Sequence, residues 1–251
     1  MRPYYDADGV TLYHADCRDV LPELERESID MIWTDPPYGH SNGDGDLAAS
    51  RLGVRGARQR PLATIANDGA EEWPALMQAF LDQAARILKR DCCCCCCCGG
   101  GGPSPSFARA ALWIDERLSF FHAVVWDKSA RGHGLGWRFR RDYEFVMVAH
   151  RKGGKLAWAD DSVAVPNIVR DAPVPNTLHP TTKPIALVQR FVTWHTQPGD
   201  TVLDPFAGSG TSLVAAKDLG RRAIGVELDE RHCETAALRL SQGVLDFGGV
   251  A

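Results

Sequence analysis

Apolar positions along the chain follow two alternating periods. Short runs rich in β-branched and aromatic residues are separated by stretches whose apolar residues recur every three or four positions. That alternation predicts an α/β sheet. The strand-like runs are "VTLYHADC" (10–17), "IDMIWTDPP" (29–37), "FHAVVWDK" (121–128), "YEFVMVAHR" (143–151), "DTVLD" (200–204) and "RRAIGVELD" (221–229). Two prolines close the second run, because proline cannot donate to a ladder. Helical spacing is clearest in "EEWPALMQAFLDQAARILKR" (71–90), where Leu76, Phe80, Leu81, Ala84, Ile87 and Leu88 share a face. Helices are also predicted around "RDVLPELE" (18–25), "FARAALWIDERL" (107–118), "KPIALVQRFVTWHT" (183–196), the stretch running to Gly220, and "ERHCETAALRLSQG" (230–243). Residues 39–69 and 152–178 show no such period and are expected as loops. No internal repeat is found.

One run breaks the pattern by its chemistry. "CCCCCCC" (92–98) follows the 71–90 helix and leads into four glycines. The alternation requires a strand there, and seven extended residues suffice to cross a sheet. A central parallel strand is covered on both faces and reads as an unbroken apolar run. Reduced cysteine behaves as a small buried hydrophobe. Metal sites use spaced pairs that converge on a point, whereas successive strand side chains diverge. A buried strand is therefore the favoured reading, ahead of a metal trap or a redox device. The glycines would then form a loop at a carboxyl end, where open α/β sheets bind ligands.

Composition narrows the class. The 251 residues are 45% hydrophobic and 24% charged, enough for one full core, so 1–251 is expected as a single domain. A formal charge of −4 means that any nucleic-acid surface must come from local segregation of charge. No stretch has the apolar length of a membrane span and "MRPYYDADGV" lacks a signal peptide's hydrophobic region, so a cytoplasmic, reduced setting is expected.

Two segments carry chemistry. "TDPPY" (34–38) ends a strand and presents a carboxylate, carbonyls stiffened by proline and an aromatic face. Asp35 and the Pro36 carbonyl could each accept one N–H of an exocyclic amine, favouring the pyramidal geometry in which its lone pair attacks. Tyr38 could stack on the ring bearing that amine. A plain strand-ending turn is the competing reading. "LDPFAGSGTSLVAA" (203–216) places Gly208 and Gly210 where a backbone can turn tightly at a helix N-terminus. Glu227, 17 residues after Gly210, ends the next strand and suits ribose hydroxyls. Leu213 fills the third glycine position of a dinucleotide fingerprint, which argues for a smaller nucleoside cofactor. A helix-capping turn is the alternative here.

"DPPY", "DPFAGSGT" and "HPTTKP" (179–184), in that order, resemble the amino-group DNA methyltransferases that use S-adenosylmethionine. The order resembles their beta arrangement, a circular permutation of the cofactor half. The resemblance covers nearly the whole chain. It implies a doubly wound, mostly parallel seven-stranded sheet with helices on both faces and small loop insertions for DNA recognition. An acidic start to the tetrapeptide resembles the N6-adenine enzymes more than the N4-cytosine ones. Carried over, Asp204, Phe206, Gly208 and Gly210, with Ser209 and Thr211 between and after them, hold the methionine part of the cofactor. Glu227 is the ribose acid, Asp16 and Cys17 approach the adenine ring, and Thr181 and Lys183 meet the methionine carboxylate. Asp35, Pro36, Pro37 and Tyr38 form the catalytic corner, with Asp35 also beside the cofactor. No metal is implied.

The implied substrate is a base flipped out of double-stranded DNA. Phosphate contact is expected from four arginines in "RLGVRGARQR" (51–60), inside a mobile DNA-facing loop at 39–69. A second basic stretch, Lys128 to Lys155, has eight Lys or Arg against two acids, with Trp137, Phe139 and Tyr143 interleaved. A solvated basic surface is the bland alternative for both. A small target-recognition segment is expected at 152–178, and a homodimer sharing the recognition is plausible. His14, His122, His150 and His195 are scattered without metal spacing, and Trp33 and Trp126 read as core. The competing functions are N4-cytosine methylation, a catalytically silent nucleic-acid-binding module, and methyl transfer to protein or RNA amines.

Overall fold

The computed structural model describes residues 1–37, 71–98, 106–128, 142–161, 164–172 and 183–242. The chain runs β1 (Tyr5–Ala7), β2 (Val10–His14), α1 (Cys17–Val20), a 3-10 turn (Leu21–Glu23), β3 (Ile29–Thr34), α2 (Trp73–Ile87) and β4 (Leu88–Cys98). It continues through α3 (Ser106–Arg117), β5 (Leu118–Asp127), β6 (Tyr143–Arg151), β7 (Ile168–Arg170) and α4 (Ile185–His195). β8 (Thr201–Asp204), α5 (Thr211–Asp218), β9 (Arg222–Glu227) and α6 (Glu230–Ser241) complete it.

The strands form one sheet in the order β1-β2-β9-β8-β3-β4-β6-β5-β7. Seven of them match the expected number, and the three-residue strands β1 and β7 extend the two edges. Neither edge strand was foreseen, since "YDA" and "IVR" are too short to show a period, and β7 interrupts the irregular 152–178 segment. Pairing is parallel along β2-β9-β8-β3-β4 and between β5 and β7. It is antiparallel where β6 lies between β4 and β5, and between β1 and β2.

Three expected boundaries move, each for a physical reason. The 71–90 helix stops at Ile87, because Leu88 leaves it to pair with Ile29 and Lys89 reaches the Asp30 carboxylate at 2.6 Å. Leu118 likewise opens β5 instead of closing α3, and pairs with Arg151. β3 ends at Thr34, before Asp35 and the prolines.

The cysteine run is the strand the alternation required. Cys93 to Cys96 pair in parallel with Met31 to Thr34 on one side, and Cys94 to Cys98 pair antiparallel with Ala149 to Phe145 on the other. Cys92 to Cys97 are all buried. Their side chains divide by parity. Cys93, Cys95 and Cys97 join the core layer that includes Phe191 and Trp194 of α4, Leu213 of α5 and Cys233 of α6. Cys92, Cys94 and Cys96 join the layer of α1, α2 and α3, with Phe80, Ile87 and Ile114. A strand with helices over both faces needs apolar side chains at every position. Burial pushes the Cys92 thiol up to about 11, and raises those of Cys93 and Cys95, so these sulfurs are packed as neutral thiols. No helix among the described residues is long and apolar enough to cross a membrane.

The strand role makes a direct prediction. Cys94→Val should preserve the fold at a cost within about 1.5 kcal/mol, because volume-similar apolar exchanges are tolerated in cores. Cys94→Asp should cost more than about 3 kcal/mol or prevent folding, by placing a charge in an apolar layer. Chemical denaturation of the two variants distinguishes them, and equal stability would contradict a packed central strand.

Candidate active site

The sheet changes direction between β3 and β8. From β3 the chain crosses through α2 to β4 on one side, and from β8 it crosses through α5 to β9 on the other. Such a switch point opens a crevice at the carboxyl ends of the strands. Met31 and Ile32 of β3 pair in parallel with Val202 and Leu203 of β8. Asp35 and Asp204 therefore leave neighbouring strand ends side by side, although they lie far apart in sequence. One crevice is lined by Trp33, Asp35, Lys183, Asp204, Phe206, Gly208, Ser209 and Thr211, among others. Its enclosed part is about 60 Å³, and the crevice is open on one side.

The glycine turn is held from three directions. Asp204, almost fully buried, accepts the Phe206 N–H at 3.0 Å and the Ser212 hydroxyl. Glu227 accepts the Gly208 N–H at 2.8 Å through one oxygen and the Asp229 N–H at 2.8 Å through the other. Arg239 of α6 donates to the Ser209 carbonyl at 2.6 Å and to the Thr211 hydroxyl at 3.1 Å. Gly210 caps α5 at φ 78°, and a β-carbon there would lie 2.8 Å from that of Ala236. Only glycine meets both conditions. Leu213 packs over Gly225, where an added β-carbon would stand 2.6 Å from its methyl. The glycine that permits close helix–strand packing thus sits on β9, not in the turn, which explains a leucine at the third fingerprint position.

Asp16 and Glu227 lie together at the far end of the crevice edge, since His14 pairs with Glu227 and the Ala15 N–H donates to the Glu227 carbonyl at 3.0 Å. Asp16 caps α1 through the Arg18 N–H at 2.8 Å and pairs with the Arg18 guanidinium. The Arg18 side chain, ahead of the cost of burial, holds the Asp16 carboxyl below its usual range. Cys17 is buried, and burial pushes its thiol up to about 12, so it offers surface and not a thiolate. The carboxylates Asp16, Glu227, Asp204 and Asp35 thus follow the edges of β2, β9, β8 and β3 in spatial order.

At the catalytic corner Lys183, just before α4, ion-pairs with Asp35 and lies 3.4 Å from Glu144 of β6. Glu144 is in turn bonded to Lys128. Burial opposes charge on Lys183, but the carboxylates of Asp35 and Glu144 overcome it and raise its affinity for the proton. Glu144 is likewise penalised by burial and held ionised by Lys183 and Lys128. Lys128–Glu144–Lys183–Asp35 is a chain of alternating charge ending at the tetrapeptide. Glu144 and Arg239 were missed in the sequence. The signal for Glu144 was present: an acid inside the apolar strand "YEFVMV" must have a buried cation as partner.

Other expectations divide. Trp33 and Trp126 are core as expected, with the Trp33 ring 5.0 Å from that of Phe191. The basic stretch 128–155 does not form one surface. β6 runs antiparallel to β4, so Tyr143 is exposed at the crevice end while Arg151, Lys152 and Lys155 lie at the opposite end of the sheet. There Arg151 pairs with Glu27 at 2.6 Å and Lys152 donates to the Glu116 carbonyl at 2.8 Å. His195, read as isolated, stands beside Cys93 and Cys95 once α4 packs on β4. Tyr38, Thr181, the arginines of 51–60, Trp137 and Phe139 lie outside the described residues.

A family model for DNA methylases, covering the N6 and N4 enzymes, matches residues 29–238. The chain belongs to the N6/N4 DNA methylase family. M2.DpnII, a Type II methyltransferase of Streptococcus pneumoniae, is 26% identical over 262 residues, covering 95% of this chain and 92% of that one. The solved M1.HpyAVI–SAM complex matches with a TM-score of 0.66 at 25% identity, covering 92% of this chain and 99% of that one. The cytosine-N4-specific PvuII DNA methyltransferase shares the fold, with a TM-score of 0.75 at 19% identity, covering 97% of this chain and 90% of that one. This is a methyltransferase, S-adenosylmethionine is its cofactor, and DNA is the family's substrate.

Two predictions follow from the turn. Gly210→Ala should lose at least about 2 kcal/mol of stability or cofactor affinity, by strain at positive φ together with the clash on Ala236. Thermal unfolding with and without cofactor reads this. Burial, opposed by the Ser212 and Phe206 hydrogen bonds, pushes the Asp204 carboxyl from 3.8 up to about 7. The folded protein then holds this proton more tightly than the unfolded chain. The resulting stability is complete below about pH 4 and is lost as pH rises through about 7, on the order of a few kcal/mol. Without cofactor, Asp204→Asn should remove that decline, and parallel pH profiles for the two proteins would exclude it.

Proposed function

We propose that this methylase transfers the methyl group of S-adenosylmethionine to the exocyclic N6 of an adenine flipped out of duplex DNA. The observation that carries the reading is the shared crevice, in which Asp35 faces the Asp204–Gly210 turn across the β3–β8 switch point. The cofactor supplies a methyl group already activated on a sulfonium. The donor set suits a nucleoside with an amino-acid tail. Glu227 Oε1 accepts the Asp229 N–H and faces His232, while Oε2 accepts only the Gly208 N–H among the described residues and has acceptor capacity for a ribose hydroxyl. Asp16, beside it, accepts at the adenine end. The Gly208–Gly210 backbone and the N-terminus of α5 border the methionine end.

The protein's own contribution is positioning. Asp35 is paired with the Lys183 ammonium and presents its carboxylate as a hydrogen-bond acceptor. It takes one N–H of the target amine while the Pro36 carbonyl takes the other, which directs the nitrogen lone pair along the line of displacement. With the donor bound, the N–C bond would form as the C–S bond broke, the sulfur keeping that pair, while Asp35 and the Pro36 carbonyl held the amine until its proton passed to solvent. A base stacked in the duplex cannot present this edge, so it must be extruded. Glu144 and Lys128 hold Lys183 in place. Lys183, expected at the methionine carboxylate, lines the crevice beside Asp35 and as a point charge with three donors can serve both groups.

Asp35→Ala should lower methyl transfer to DNA by at least about 10²-fold, as for a group that orients the reacting atoms. Cofactor affinity, measured by calorimetry, should stay nearly unchanged. A rate within about tenfold of the parent, roughly 1.4 kcal/mol, rejects the role of Asp35. Digestion of the product DNA to nucleosides identifies the base: N4-methylcytosine in place of N6-methyladenine overturns the adenine assignment and leaves the crevice chemistry standing.

A further inference from the structure

The most concentrated set of soft ligand atoms in the described residues lies away from the crevice. Cys93 and Cys95 point to the same face of β4, and their sulfurs are 3.0 Å apart. His195, the last residue of α4, packs against them, so that the two sulfurs and one imidazole nitrogen all lie within 4.8 Å of one another. All three residues are buried. The imidazole is already oriented, because Nδ1 is 2.7 Å from the Ala157 carbonyl and donates to it in the tautomer that contact favours. That leaves Nε2 with a free lone pair, the arrangement in which a histidine ligand has its other N–H held by a backbone carbonyl.

We propose that Cys93, Cys95 and His195 bind a thiolate-seeking divalent cation of the zinc type, with a fourth position taken by water. Two sulfurs and an imidazole form a donor set suited to zinc. Tetrahedral bonds of about 2.3 Å require sulfurs about 3.8 Å apart, so the pair opens by less than about 1 Å through side-chain rotation. The thiol protons leave to solvent as the metal–sulfur bonds form. A cavity of about 620 Å³, lined by His122, Leu156, Trp158 and Trp194, reaches the cluster at His195, and the two sulfurs lie buried behind that ring. Alternation along the strand, which argues against a metal trap built from consecutive cysteines, is what selects this pair: Cys94 and Cys96 face the other layer.

The site would join β4 to the carboxyl end of α4, the helix whose other end follows Lys183. It is independent of the methyl-transfer reading, and either can fail without the other.

The test uses the full chain, reduced with a phosphine under anaerobic conditions and freed of metal. Cobalt(II) should bind one per chain, with the visible bands of a tetrahedral ion and a sulfur-to-metal charge-transfer band, and zinc should displace it. Cys95→Ala and His195→Gln should weaken binding at least tenfold, while Cys94→Ala and Cys96→Ala should leave it intact. Should a variant not fold, X-ray absorption of the zinc-loaded parent decides, with two sulfurs and at least one imidazole in the first shell. Absence of the bands, equal binding by the His195→Gln and Cys95→Ala proteins, or a shell with any other number of sulfurs overturns the proposal.

Discussion

The short parallel pairing of β3 with β8 is the constraint on which the site depends. Two ladder positions, Met31 with Val202 and Ile32 with Leu203, bring the end of an early strand against the end of a late one. Each strand by itself ends in a common Asp-Pro turn. Set side by side at the point where the sheet changes direction, the two turns become opposite walls of one crevice. A slip of one residue in this register would turn Asp35 and Asp204 to opposite faces, because the strand period is two. The apolar layers on both sides, with Trp33 and Val202 in one and Ile32 and Leu203 in the other, forbid that slip.

Charge at the crevice is managed by two different means. Asp204 has hydrogen bonds but carries the cost of burial, so its proton is retained toward neutral pH. Asp35, by contrast, is matched to a buried ammonium, which is itself balanced by Glu144 and Lys128. Removing any one member of that chain leaves a buried charge without its counterpart, which costs more than the pair contributes to folding. The arrangement is therefore better understood as fixing the position of the tetrapeptide's acceptor than as stabilising the sheet.

Much of this was legible in the sequence because the relevant signals are local. The periodicities located all seven long strands, and Gly208, Gly210, Asp204 and Glu227 fall together at the turn where their spacing placed them. What the sequence hid depends on antiparallel geometry and on helix packing. A basic stretch that looked continuous from Lys128 to Lys155 is divided between the two ends of the sheet, because β6 reverses direction within it. Arg239 supports the glycine turn only because α6 folds back over it, a contact with no sequence signature. Leu213 looked like a departure from a glycine motif, and proves to be half of a Leu213–Gly225 contact that achieves the same close approach.

The cysteine strand shows how one physical demand can be met by an unusual residue and then carry a second property. A strand covered on both faces asks only for small apolar side chains, and cysteine satisfies this. Valine would satisfy it equally, but valine places no donor atoms on the surface it packs against. With sulfur at every second position of one face, any histidine delivered by the overlying helix meets a prearranged pair of soft ligands. α4 delivers His195 at that place, with its ring held by the Ala157 carbonyl. Packing accounts for the strand's hydrophobicity, and the Ala157 carbonyl with the rings of Trp158 and Phe191 fixes the imidazole; the convergence of two sulfurs and a ring nitrogen at one place is what distinguishes a ligand cluster from an ordinary core.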